Sequence, residues 1–165
     1  MNKVKSIVID ALLIAILIVL KEALSFIPNI EVVTLLLIIF SMTMKLEDLS
    51  IIVFSFATIQ NLLYGFNIYS VSYYFAWFII VFVTYYLKNI LTDEYRVAFI
   101  SLIFGLLFDI PFSIPYFLSG FSAGIAYLLS GLVFSLVHGI GNFIIALILY
   151  RPLYKSFKYF VDSGL

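Results

Sequence analysis

Long apolar stretches separated by short polar breaks make up almost the whole chain, and their lengths predict membrane-crossing helices. An apolar run of roughly 17–25 residues crosses the hydrocarbon core as a helix. The first such run extends from about Lys5 to Leu24 and is closed by Pro28 and Asn29. A second, shorter run spans Glu31 to Met44, and the polar group Lys45-Leu46-Glu47-Asp48 follows it. The third reaches Tyr64, where Gly65, Phe66 and Asn67 predict a turn. The fourth covers Tyr69 to Lys88, ahead of Thr92-Asp93-Glu94-Tyr95-Arg96. The fifth runs on to Asp109, beyond which Pro111 and Pro115 break or kink a helix. The last begins near Leu132 and ends at Tyr150, before Arg151 and Pro152. Between Ile110 and Gly131 the pattern leaves three alternatives open: an extra span, a bent continuation of the fifth helix, or a helix lying over the bundle.

Basic residues reduce the choice. Lys and Arg in short loops favour the cytoplasmic side. With six spans Lys3, Lys5, Lys45, Lys88, Arg96, Arg151, Lys155 and Lys158 share one side, and only Lys21, next to Glu22, falls on the other. A seventh span would separate the C-terminal basic residues from the rest. The expected fold is therefore an all-α membrane protein, one integral-membrane domain over residues 1–165, with six transmembrane helices and both termini cytoplasmic. Lys3 and Lys5 ahead of an apolar run also imitate a leader peptide. No clean small-x-small cleavage site follows, and removing the first span would leave an odd number.

Composition agrees with the spans. Hydrophobic residues make up 65% of the chain and charged ones 11%, and no soluble domain of 165 residues could hide so much apolar surface. Mean hydropathy is +1.22. Nine basic residues balance nine acidic ones, which leaves no basic patch for nucleic acid. Cysteine is absent and histidine occurs once, so disulfides and thiolate metal sites are excluded and no metal or other cofactor is expected. The chain has no phosphate-binding Gly-x-x-x-x-Gly-Lys-Ser/Thr loop, no His-Glu-x-x-His and no Gly-x-Ser-x-Gly. These absences favour binding or transport over an enzyme.

Polar groups inside a bilayer are costly and tend to face a bundle interior or a cavity. Glu31 opens the second span, while Asn61 and Tyr64 close the third. Tyr73 and Trp77 are four residues apart and share a face of the fourth, as His138 and Asn142 do on the last. All lie at similar depth towards the external side, the pattern of a pocket with aromatic walls and a few polar groups. Plainer roles compete for each. Tyr64 and Tyr73 suit a membrane interface, Trp77 suits packing, and Asn61, His138 and Asn142 suit bonds between helices. Glu31 suits a helix cap, and Asp109 a loop cap. On the first span Ala11 and Ala15 form a small-x-x-x-small strip that another helix can approach closely, and self-association or internal packing competes with partner docking there.

Taken in order, several stretches resemble one family. They are Ala11-x-x-x-Ala15, Ile27-Pro28-Asn29-Ile30-Glu31, Asn61-Leu62-Leu63-Tyr64-Gly65 with the aromatic segment through Trp77, Gly131-Leu132-Val133-Phe134, His138-Gly139-Ile140-Gly141-Asn142-Phe143 and Arg151-Pro152-Leu153. The chain resembles the substrate-binding S components of energy-coupling factor (ECF) transporters, which import vitamins and related micronutrients across the prokaryotic cell membrane. The resemblance implies an external pocket for one small vitamin-like molecule, with Glu31, Asn61, Tyr64, Tyr73, Trp77, His138 and Asn142 as its candidate residues. It implies that Ala11 and Ala15 dock on a transmembrane coupling protein served by two ATPase subunits. Gly131 to Ser135 lacks an Asp expected near Ser135 in many relatives. The alternative is a self-contained small helical channel or secondary transporter.

Overall fold

The computed structural model describes residues 3–162. The residues at the two extreme ends, which the charges assign to the cytoplasm, lie outside the described residues. Between them the chain is helical, with no strand among the described residues: α1 (Lys3–Ala23), α2 (Val33–Thr43), α3 (Leu46–Tyr64), α4 (Ser70–Leu87), α5 (Glu94–Leu107), α6 (Ile110–Ser119), α7 (Phe121–Ser130) and α8 (Leu132–Asp162). Four helical stretches are long and apolar enough to cross a membrane: α3, α4, α5 continued by α6, and α8. That is the make-up of a multi-pass helical membrane protein.

The polar breaks act as helix boundaries for identifiable reasons. Asp93 caps α5 by accepting a hydrogen bond from the Arg96 backbone N–H at 3.0 Å. After α3, Gly65 adopts φ 84°, and the Asn67 side chain accepts from the Tyr69 N–H at 2.8 Å to hold the turn into α4.

Three expectations need correction. The second helix is only 11 residues, Val33–Thr43, about 16 Å long at 1.5 Å per residue. It starts late because Glu31 stays outside it and accepts from the Thr34 N–H at 2.8 Å. Residues 33–41 are all buried, so α2 runs through the middle of the bundle and its side chains meet other helices all round. The last helix does not stop at Tyr150. It continues through Pro152 to Asp162, because its final turns still have something to pack on: Phe157 lies 4.8 Å from Phe40 of α2, and Tyr150 stacks on Tyr154. The 110–131 stretch is neither a single span nor a single helix. α6 and α7, 10 residues each, fold back on one another around Gly120, whose φ of 147° a side-chain-bearing residue rarely adopts. The hairpin leaves the bundle at Asp109 and returns at Gly131, where a Cβ would stand 2.8 Å from the Asp109 carboxylate.

Among lipid tails, burying Leu or Ile gains little by itself, so close packing holds such a bundle together. The tightest approach joins α5 to α8: a Cβ on Gly105 would meet the Gly139 backbone at 2.6 Å. This crossing places His138 beside the aromatic side chains of α5.

Candidate functional site

The end of the bundle that carries the α1–α2 loop is hollow. Three of its cavities adjoin one another and share lining residues. A central one of about 370 Å³ lies under the loop, between Glu31, Tyr73, Trp77, Phe108, Phe134 and His138. A second, of about 240 Å³, lies between Lys21, Gln60, Asn61, Tyr64 and Tyr73. The third, of about 390 Å³, opens under the α6–α7 hairpin beside Tyr69, Phe108, Asp109, Phe112 and Tyr127. Tyr73 is common to the first two, and Phe108 and Phe134 to the first and third.

Local sequence explains how the loop closes over the centre. Asn29 takes φ 64°, a left-handed conformation that Asn tolerates better than most residues. The turn sets Ile30 against Gly141, where a Cβ would stand 2.9 Å from the Ile30 methyl. Glu31 is thereby brought to α8, with its Oε1 3.4 Å from His138 Nε2. One Glu31 oxygen thus caps α2 and the other faces the cavity. Burial pushes the Glu31 carboxyl up, but His138 and the Thr34 hydrogen bond outweigh it and hold the pKa below the ordinary 4.5.

Trp77, 3% exposed, is the hub of the aromatic wall. Its ring lies 5.5–5.9 Å from those of Phe56, Tyr73, Phe104 and Phe108. The wall continues from Phe108 to His138 at 4.9 Å and to Phe112 at 5.1 Å. Beyond Phe112 lie Tyr69, Tyr116 and Tyr127, with the Tyr69 and Tyr116 hydroxyls hydrogen-bonded and Tyr116 stacked on Tyr127 at 4.4 Å.

Hydrogen-bonding groups here are left without partners in the chain. Trp77 Nε1, His138 Nδ1, Gln60 Oε1 and Asn142 Oδ1 are all buried and unpaired. A buried polar atom without a partner costs on the order of 1–3 kcal/mol, so four at one end of a small bundle call for an explanation. Two of the four can only accept, one can only donate, and the imidazole can do either.

The predicted residues separate into groups. Glu31, Tyr73, Trp77 and His138 line the central cavity together. Asn61 and Tyr64 line the neighbouring one. Asn61 bonds back to the Ala57 carbonyl at 3.0 Å within its own helix. Tyr64 is 60% exposed and donates to Glu22 at 2.6 Å. Asn142 is one turn further along α8 and donates to Thr34 Oγ1 at 3.3 Å. Ala11 and Ala15 are exposed on α1, while Leu13 and Leu17 of the same helix face the core.

Other residues at this end escaped the sequence reading. Glu22 gathers Lys21, Gln60 and Tyr64 on its carboxylate at 3.0, 3.2 and 2.6 Å. Its signal was the Lys21-Glu22 pair, the only charges between Asp10 and Glu31. Phe108, Phe112 and Phe134 carried none, being three of 18 phenylalanines. Asp109 accepts from Ser135 at 2.7 Å and ties the base of the hairpin to α8. No group of three or more His, Asp or Glu placed to hold a metal ion occurs among the described residues.

Comparison with protein families, with curated proteins and with solved structures finds no match for this chain.

Proposed function

We propose that this chain is the substrate-binding S component of an ECF-type importer in a prokaryotic cell membrane. It captures a vitamin or related micronutrient outside and delivers it through a separate transmembrane coupling protein and two ATPases. The observation that carries this reading is the aromatic cavity around Trp77, where Trp77 Nε1 and His138 Nδ1 have no partner in the chain, with Gln60 Oε1 unpaired in the adjoining cavity. A largely apolar pocket with a few convergent polar groups is the usual form of a small-molecule site. In this reading the crossings are α1, α2, α3, α4, α5 and α8. The α1–α2 loop and the α6–α7 hairpin then cap the external end.

The action is capture without covalent chemistry. Tyr73, Trp77 and Phe108 enclose a planar ligand. Glu31, His138 and Trp77 Nε1 orient it, with Asn142 deeper and Asn61, Gln60 and Tyr64 on the side towards α3. Energy comes from outside the chain, in keeping with the missing phosphate loop, and the exposed Ala11–Ala15 strip is where the coupling protein docks.

Affinity purification of the tagged chain from its native membranes, with mass spectrometry of co-purifying proteins, tests the assignment. The wild type is expected to bring down a polytopic coupling protein and two ATPases, and Ala11→Leu with Ala15→Leu to lose them. Uptake into liposomes by the chain alone would favour the self-contained channel or secondary transporter instead.

A further inference from the structure

We infer that the ligand of this cavity is a planar aromatic cation, an inference that rests on the binding role proposed above. The ionisable side chains lining the central cavity and its neighbour under the hairpin are Lys21, Glu31, Asp109, Tyr69, Tyr73, Tyr127 and His138. The single cation, Lys21, is already ion-paired to Glu22 at 3.0 Å and lies over the Tyr64 ring at 3.9 Å. No Lys or Arg offsets the Glu31 carboxylate, and its partner across the cavity is the His138 imidazole at a loose 3.4 Å. Asp109 likewise has only the Ser135 hydroxyl on its Oδ2. Two carboxylates, one in each cavity and neither with a Lys or Arg partner, make the lining electronegative.

The walls point the same way. Trp77, Tyr73 and Phe108 border the central cavity, and aromatic faces attract cations, more strongly where water is excluded. An anion would meet the carboxylates, and the one lysine in the lining, Lys21, is already paired to Glu22. A cation would meet Glu31 and the aromatic rings, while its ring acceptor meets the unpaired Trp77 N–H and one of its N–H groups the unpaired Gln60 oxygen in the adjoining cavity. A central volume of about 370 Å³ suits a two-ring system.

Trp77 is the chain's only tryptophan, so its fluorescence reports on this cavity alone. The purified full-length chain is titrated with three rings of similar size: 1-methylquinolinium, neutral 1-methyl-2-quinolone and anionic quinoline-2-carboxylate. Equilibrium dialysis separates binding from collisional quenching. The cation is expected to saturate the signal at a concentration at least about tenfold below the neutral ring, with the anion weakest. Glu31→Gln should remove most of that preference and leave the neutral ring within about threefold; if that variant does not fold, Asp109→Asn should reduce the preference in the same direction. Tighter binding of the neutral or anionic ring overturns the cation assignment and leaves the pocket standing. Saturable binding of none of the three by folded wild type overturns both.

Discussion

The two ends of this bundle are built from the same residue types, but they treat polar groups in opposite ways. At the end bearing the α2–α3 connection, polar side chains are paired. Ser41 and Thr84 bond across α2 and α4 at 2.6 Å, and both also bond to carbonyls of their own helices. Arg151 of α8 meets Glu94 of α5 at 2.6 Å, and Arg96 meets Asp93. At the end bearing the α1–α2 loop, Trp77, His138 and Gln60 each keep a buried polar atom unpaired among residues that line open space, and Asn142 keeps one a turn further along α8. Asp10 on α1 is the one other residue with such an atom among the described residues. Satisfied polar groups hold helices together, whereas unsatisfied ones beside a cavity are poised for something that enters it.

The largest expected effect is one on which both ends depend. Gly105→Leu would drive a side chain into the Gly139 backbone, which cannot yield, and separate α5 from α8. Overpacking of this kind costs about 3 kcal/mol or more, so the variant should lose its monodisperse peak in size-exclusion chromatography. Next comes a paired test of the contrast itself. Ser41→Val breaks the buried bond to Thr84 and should lower stability by about 1–2 kcal/mol. Asn142→Leu gives up one long bond but removes an unpaired carbonyl, so its stability should stay within about 0.5 kcal/mol of wild type. Equal losses in denaturant titrations of the two variants would erase the difference between the ends.

A smaller effect concerns pH. The folded Glu31 carboxyl lies below its ordinary 4.5, so its contribution is complete above that value and is lost as pH falls through the folded pKa. Thermal stability of the wild type should therefore fall on acidification below about pH 4.5, and Glu31→Gln should show a shallower decline over the same range.

Much of the fold was legible because its signals are local. Lys45 to Asp48 and Thr92 to Arg96 interrupt apolar runs, and helices begin at or beside them. The four-residue spacings put Tyr73 with Trp77, and His138 with Asn142, on common faces, which is helix geometry and needs no knowledge of neighbours. What was not legible depends on neighbours. Pro152 reads as a stop, yet α8 continues because Phe157 finds Phe40, 117 residues earlier in the chain. The hairpin at 110–131 turns on Gly120, one glycine of eight, and on contacts between its own two arms. In the site, Glu22 reads as half of a solvated charge pair until α3 supplies Gln60 and Tyr64. Glu31 was legible as a helix cap or as a pocket residue, and its two carboxylate oxygens take those two positions separately.

Native mass spectrometry of the intact chain, purified gently from its own membranes, is the most direct test of the central claim that the Trp77 cavity holds a small molecule. The account predicts a non-covalent adduct of small-molecule mass on the wild type that is absent from an equally folded Trp77→Ala variant. A bare wild-type chain, or the same adduct on both proteins, would contradict it.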